Sequence, residues 1–241
     1  MKIIIIRHGD PDYKNDTLTS VGKIEVEHLK NSIIKENIKS VYCSVLGRAR
    51  DTAKPILDAL SVNATYCDWL KEFNYELVTL PYSLEPDGCW DILPEYVNTL
   101  QNIYHPTLWK EEEFIKNSNI AKNYDYVIEN LDKMLASHGY VRDGFNYKVE
   151  KSNHDTIVLV CHFGVTAVLL SHLLNCSPYS IWQHTCTAPT SVTTIYTEER
   201  KKGVALMRCA SIGSVAHLLQ NGIEPSFSGR FCECFEDDTR H

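Results

Sequence analysis

Lys2-Ile3-Ile4-Ile5-Ile6-Arg7-His8-Gly9 is the stretch on which the reading of the fold turns. Four consecutive isoleucines show no alternation of apolar and polar side chains, so a strand made of them is buried on both faces. Strands of that kind belong to parallel sheets covered by helices on each side. The run ends in Arg7 and His8, and Gly9 lets the backbone turn sharply and come close to a ligand. In open α/β sheets ligands bind beyond the carboxyl ends of the strands. Position alone therefore makes Arg7 and His8 candidate site residues.

The same grammar recurs twice further on. Val41-Tyr42-Cys43-Ser44 reads as a second short strand, and Arg48 follows it at the start of a helix over Arg48–Leu60. Pro55 is expected either to break that helix near its start or to mark where it begins in earnest. Thr156–Cys161 is the clearest buried strand, and His162 leaves its end ahead of a helix from about Gly164 to Leu174. The N-terminal amides of that helix favour an anion. Between these units, Thr19 is the expected N-cap of a helix over Thr19–Lys35, with Ile24, Leu29, Ile33 and Ile34 as its apolar stripe. Ser191–Thr197 and Val204–Ala210 read as an antiparallel pair joined by the polar turn Glu198–Gly203.

The order strand, helix, strand, helix, insert, strand, helix, hairpin predicts an α/β fold: a three-layer α/β/α sandwich with a mainly parallel central sheet. The stretch from about Tyr75 to Glu150 differs from its flanks. It holds Pro81, Pro86, Pro94 and Pro106, many aromatics, and helical periodicity around Tyr124–Leu135. One domain over residues 1–241 is expected, with a mostly helical cap inserted at about 75–150.

Composition excludes several classes of function. The 241 residues are 44% hydrophobic and 23% charged, ordinary values for a globular chain, and the formal net charge of −7 disfavours nucleic acid or an anionic membrane surface as partner. Lys2 is followed by only four apolar residues before Arg7, too few for a secretory h-region, and no apolar run is long enough to span a bilayer. The expected location is the cytoplasm, and the nine cysteines are expected as reduced thiols. Cys232-Glu233-Cys234 has no second pair at zinc spacing and is read as part of a polar tail.

Three strand ends thus deliver two arginines and two histidines, Arg7, His8, Arg48 and His162, to one edge of the sheet. Phosphoryl transfer needs an in-line nucleophile and positive groups matching charge on the equatorial oxygens. Arginine supplies fixed bidentate donors for those oxygens, and a neutral imidazole can attack phosphorus to form a phosphohistidine. Such a site takes a small phosphorylated substrate and requires neither metal nor cofactor.

These residues carry a family resemblance. Arg7-His8-Gly9, Leu18-Thr19-x-x-Gly22, Ser44-x-x-x-Arg48-Ala49-x-x-Thr52-Ala53, Leu70-Lys71-Glu72, Cys161-His162-Phe163-Gly164 and His217-Leu218 together resemble the histidine phosphatase superfamily, in the branch that includes cofactor-dependent phosphoglycerate mutases. The resemblance spans nearly the whole chain and fades between Tyr75 and Glu150. It implies that His8 is the nucleophile, that Arg7, Arg48 and His162 hold the phosphoryl oxygens, and that Glu72 is the acid that protonates the leaving group. Glu76, four residues on, competes with Glu72 for that role. Gly9, Asp10, Tyr13, Ser44 and Phe163 are expected to border the pocket.

Departures from the family bear on the reaction. Many members carry Glu, then Thr and an Asn, after Arg-His-Gly, whereas here the run is Asp10-Pro11-Asp12-Tyr13. The mutases carry a Tyr-Gly segment after the acid and a pair of arginines further on. Here Phe73-Asn74-Tyr75-Glu76 follows Glu72, and the insert holds no Arg-Arg. From Phe73 to Glu150 six basic residues face thirteen acidic ones, a poor balance for a bisphosphorylated, carboxylated substrate. The aromatics Tyr82, Trp90, Tyr96, Tyr104 and Trp109 form a small core in the cap, or one or two of them stack on an organic moiety of the substrate. The expected activity is a metal-independent phosphomonoesterase acting through phosphohistidine on a small phosphorylated metabolite. The alternative is a phosphoglycerate mutase, an isomerase. A non-catalytic phospholigand-binding module ranks below both, because its signature, loss of Arg7, His8 or the acid, is missing.

Overall fold

The isoleucine run forms β1 (Lys2–Arg7), buried from Ile3 onward, in the computed structural model of the chain. The structure describes residues 1–73, 88–228 and 234–236. Glu76, Tyr82, Pro81, Pro86 and Cys232, singled out above, lie outside the described residues. After β1 come a two-residue ribbon, β2 (Pro11–Asp12) with β3 (Thr17–Leu18), then α1 (Ser20–Ile33), β4 (Ile38–Ser44), α2 (Gly47–Leu60) and β5 (Ala64–Cys67). The middle of the chain supplies α3 (Pro94–Val97), α4 (Glu113–Lys116), α5 (Ile120–Ser137), β6 (Tyr140–Asp143) and β7 (Asn146–Val149). The last part supplies β8 (Thr156–Cys161), α6 (Phe163–Leu174), α7 (Pro178–Trp182), β9 (Val192–Lys201), β10 (Val204–Ser214) and α8 (Ala216–Leu219).

Eight strands join one sheet in the order β5-β4-β8-β1-β9-β10-β7-β6. β5, β4, β8 and β1 form a parallel block, and β9 opens an antiparallel half beside β1. Arg7 pairs in register with Cys161, and Cys43 with Val160, so β1, β8 and β4 end at the same edge. The alternation of a strand decides which helices it meets. Ile4, Ile6, Val158 and Val160 pack with Leu29, Ile33, Ala53 and Ile56 of α1 and α2. Ile3, Ile5, Ile157 and Leu159 pack with Leu131, Leu135, Val168 and Leu169 of α5 and α6. The fold is the expected α/β sandwich of three layers.

Several local expectations are corrected. α1 is capped as read, with Thr19 Oγ1 accepting the Gly22 N–H at 3.0 Å. Its buried face, however, is Glu25, Val26, Leu29 and Ile33, while Ile24 (56% exposed) and Ile34 (37%) point to solvent. A buried carboxylate at Glu25 displaced the apolar phase that the stripe assumed. α2 starts at Gly47 and runs unbroken through Pro55, which forfeits one helical N–H bond without ending the helix. β4 begins at Ile38, and β9 and β10 extend through the polar residues read as their turn, leaving Lys202-Gly203 to close the hairpin. The end of the segment expected as a helical cap is strand instead. Tyr140 and Tyr147 are buried in the β6–β7 hairpin, which pairs with β10 and extends the sheet. Among the described residues no helix is long and apolar enough to cross a membrane.

Candidate active site

The shared edge of β1, β4 and β8 brings Arg7, His8, Ser44 and His162 together, with Arg48 in the first turn of α2. His8 is buried, and its ring lies 5.0 Å from that of His162. The His8 Nδ1–H donates to the Gly9 carbonyl at 2.7 Å, which leaves the imidazole lone pair on Nε2. Burial, reinforced by the Arg7 charge, pushes the His8 pKa down to about 3, so the ring is neutral at ordinary pH.

His162 is the N-cap residue of α6, and its Nε2 lies 2.9 Å from Ser44 Oγ. The Ser44 oxygen also accepts the Leu46 N–H at 3.3 Å, and its own hydrogen is available to His162 Nε2. In the tautomer where Ser44 donates to Nε2, the His162 proton sits on Nδ1, a buried atom with no hydrogen-bond partner among the described residues. Burial holds the His162 pKa well below its usual value, with His8, Arg48 and Arg7 adding to the effect.

The Arg7 guanidinium donates to the Thr187 carbonyl. The Arg48 guanidinium pairs with Asp16 at 2.7 Å and lies 5.3 Å from the centre of the Tyr13 ring. The Nε atoms of both arginines are buried and have no hydrogen-bond partner among the described residues. Unsatisfied buried polar atoms are rare in folded proteins. Arg7 Nε, Arg48 Nε and His162 Nδ1 are three such donors on one sheet edge, a set that suits the oxygens of a phosphoryl group.

Glu72 follows a single 3₁₀ turn, Asp68–Leu70. Its Oε1 accepts the Phe73 N–H at 2.8 Å and the Val165 N–H at 3.2 Å, which ties it to the first turn of α6. Burial raises its pKa, and this outweighs those two N–H donors and the nearby Arg7 and Arg48 charges. Glycine at residue 164 lets Glu72 and the Trp90 ring come close to α6. A Cβ on it would lie 2.8 Å from Glu72 Oε1 and 2.3 Å from the Trp90 ring.

Of the residues expected to border the pocket, two are diverted. Ser44 orients His162, as described. The Asp10 carboxylate accepts the hydroxyls of Thr19 (2.6 Å) and Ser226, so it ties α1 to the C-terminal segment. Gly9 donates its N–H to Thr52 Oγ1 at 2.9 Å, and Thr52 in turn donates to the Arg48 carbonyl at 2.8 Å. Tyr13 is 64% exposed above Arg48, and Phe163 packs edge-on against Trp90. Trp109 belongs to the core with Tyr124 and Tyr179, whereas Trp90 sits beside Glu72.

Other supports escaped the reading of the sequence. Asp16 holds Arg48 from the β2–β3 turn. Thr187 holds Arg7, and the Thr190 N–H donates to the His8 carbonyl at 3.0 Å. His217, part of a quoted motif but given no role, lies 3.1 Å from Thr190 Oγ1. Glu25 accepts the Ser226 N–H at 2.8 Å and the Asp10 N–H at 3.4 Å. Each acts across a large separation along the chain, where a single sequence carries no local signal.

The family model of the histidine phosphatase superfamily (branch 1) matches residues 3–83 and 112–210. The chain belongs to the histidine phosphatase superfamily. As a member of it, this histidine phosphatase is an enzyme of the phosphatase class. A Schizosaccharomyces pombe protein named as a probable phosphatase is 23% identical over 185 residues, which covers 73% of this chain and 74% of that protein. Among solved structures, phosphoserine phosphatase from Entamoeba histolytica in complex with 3-phosphoglyceric acid aligns with a TM-score of 0.57 at 20% identity, over 90% of this chain and 98% of that one. Mycobacterial glucosyl-3-phosphoglycerate phosphatase aligns at 0.56 and 17%, over 88% and 99%. Alpha-ribazole phosphatase from Shigella flexneri aligns at 0.54 and 18%, over 89% and 97%. At these identities the structures share the fold with this chain.

Proposed function

We propose that this histidine phosphatase hydrolyses a small phosphomonoester through a phosphohistidine on His8, without a metal ion. The observation that carries the proposal is the set of three unpartnered buried donors beside a neutral imidazole. Arg7, Arg48 and His162 Nδ1–H bind the phosphoryl oxygens and take up the charge that spreads over them in the transition state. The His8 Nε2 lone pair attacks phosphorus in line, and the ester oxygen leaves with the bonding pair. Glu72, whose pKa burial raises, donates its proton to that oxygen. The resulting carboxylate takes a proton from water, whose oxygen displaces His8 from phosphorus. Phosphate is released, and both groups return to their starting states. Hydrolysis fits better than return of the phosphoryl group to a carboxylated sugar acid. No lysine or arginine occurs between Lys71 and Lys110, the stretch that leads away from the acid.

The test is rapid-quench labelling with a reactive radiolabelled phosphomonoester. The expected result is an acid-labile, base-stable label on the wild type, no label on His8→Ala, and turnover unchanged by EDTA. A label that survives His8→Ala, or turnover that EDTA abolishes, overturns the proposal.

A further inference from the structure

A groove of about 630 Å³ opens beside the phosphoryl site and is lined by Trp90, Leu93, Val97, Tyr104 and His184, with Asn98 at its rim. That volume lies within the range of small-ligand pockets. Both walls lead back to the site. On one wall the Trp90 ring lies against Gly164 and Glu72. On the other, Gln183 and His184 open the loop that reaches Thr187, whose carbonyl holds Arg7. The floor is fixed by Trp182, whose indole N–H donates to the Gly164 carbonyl at 2.9 Å. At the mouth the Tyr104 hydroxyl donates to Gln183 Oε1 at 2.8 Å.

The groove is mostly aromatic and aliphatic, and Asp91 is its one carboxylate among the described residues. Among the described residues no lysine or arginine lines it. Trp90, Leu93, Val97 and Tyr104 all fall within residues 84–111, the interval that the family model leaves unmatched. Most of the groove is therefore built from this unmatched interval, with Trp182, Gln183 and His184 contributed by the matched part. A leaving group seated there meets aromatic faces and, among the described residues, no lysine or arginine. A carboxylate in the same place meets Asp91 and, among the described residues, no lysine or arginine to pair with.

Resting on the phosphatase reading above, we infer that this groove binds the alcohol portion of the substrate and selects an aromatic, carboxylate-free group. Such a group is favoured over the amino acid or glycerate portions of phosphoserine and phosphoglycerate. Phosphonates that cannot be hydrolysed separate binding from leaving-group chemistry, with inorganic phosphate as the reference for the phosphoryl site alone. 1-Naphthylmethylphosphonate should inhibit about ten- to a hundredfold more tightly than methylphosphonate, from burial of the added apolar surface. 2-Amino-4-phosphonobutanoate, the isostere of phosphoserine, should gain nothing over methylphosphonate. Trp90→Leu should remove most of the naphthyl advantage. Asn98→Arg, an exposed substitution that places a cation at the rim, should tighten the carboxylated inhibitor severalfold.

Equal inhibition by the three phosphonates overturns the inference, and this comparison on the wild type needs no variant to fold. A naphthyl advantage that Trp90→Leu leaves intact also overturns it, as does a carboxylated inhibitor unmoved by Asn98→Arg. Any of these results, with the His8 label present, removes the groove and leaves the phosphatase reading standing. Absence of the His8 label removes that reading itself.

Discussion

Burial moves His8 and Glu72 in opposite directions. It disfavours the charged form of each, so the imidazole falls to about 3 and the carboxyl rises above its usual range. Burial thus favours the unprotonated form of the nucleophile and the protonated form of the acid. The acidic limb of the kcat/KM profile should lie near 3, once the second ionisation of the monoester near 6 is allowed for. The basic limb should follow Glu72, because activity is lost as pH rises through its raised pKa and the proton is gone. Glu72→Gln should remove that limb. It should also slow an alkyl phosphate by about 10²–10⁴-fold and p-nitrophenyl phosphate far less, since nitrophenolate leaves without a proton. Profiles of both substrates on both proteins check this, and equal losses would take the acid role from Glu72. Arg7, His8, Arg48 and His162 were legible because each follows a buried strand in a recurring pattern. Ser44 and Asp10 lie at the expected edge, where the structure gives them partners within the protein. Whether a buried hydroxyl or carboxylate faces a ligand depends on partners such as His162 and Ser226, far away along the chain.

Elements were legible where their signals are local. Thr19 announces α1 because its own hydroxyl caps the helix. α2 gives no such notice, since its N-cap residue is Leu46. The cap comes instead from Asp16, in a left-handed conformation at φ 48°, which accepts the Gly47 N–H at 2.6 Å and the Arg48 N–H at 3.5 Å. Burial raises the Asp16 pKa, but those donors and the Arg48 guanidinium outweigh it and hold the carboxyl low. One side chain thus caps a helix and aims a phosphate-binding arginine. Asp16→Ala should cost about 1 kcal/mol of stability for the lost cap, and it should weaken inorganic phosphate inhibition by about tenfold as Arg48 loses its hold. Asp16→Asn, which can still accept from the backbone, should recover stability more fully than phosphate affinity. Thermal unfolding and phosphate inhibition constants measure the two separately, and unchanged phosphate affinity in Asp16→Ala would leave Asp16 a cap alone. Gly47→Ala should be worse in both respects, because its Cβ would sit 2.0 Å from the Asp16 carbonyl oxygen.

At the scale of the molecule, the order of elements was legible because buried parallel strands and amphipathic helices have different periods. The extent of the insert was not, because the β6–β7 hairpin and α5 are joined to the sandwich by pairing with β10 and packing on α6. The site imposes a further property on the whole fold. His8 is held at about 3, His217 at about 4, and His162 well below 6.5, all first through burial. In the unfolded chain each titrates near 6.5. As pH falls below 6.5 the unfolded chain takes up protons that the folded one refuses, so stability falls with pH, by about 1.4 kcal/mol per pH unit for each such site. Glu72 and Glu25 act in the other direction. Their pKa values are raised by burial, so above 4.5 the folded chain keeps protons that the unfolded one has released, and stability falls as pH rises toward those values. The two effects oppose each other above 4.5, and below it the histidines act together with carboxylates held low in the folded chain, such as Asp10 and Asp16, whose stabilisation is also lost as pH falls. The melting temperature should therefore decline gently from pH 6.5 to 4.5 and steeply below it. His8→Asn removes one site and should flatten the steep part by about one proton, or roughly 1.4 kcal/mol per pH unit. Inorganic phosphate should raise the melting temperature at each pH, since it binds the folded chain alone. Calorimetry from pH 7 to 4 on both proteins measures this, and a steep part that His8→Asn leaves unchanged would mean that His8 is not held neutral by the fold.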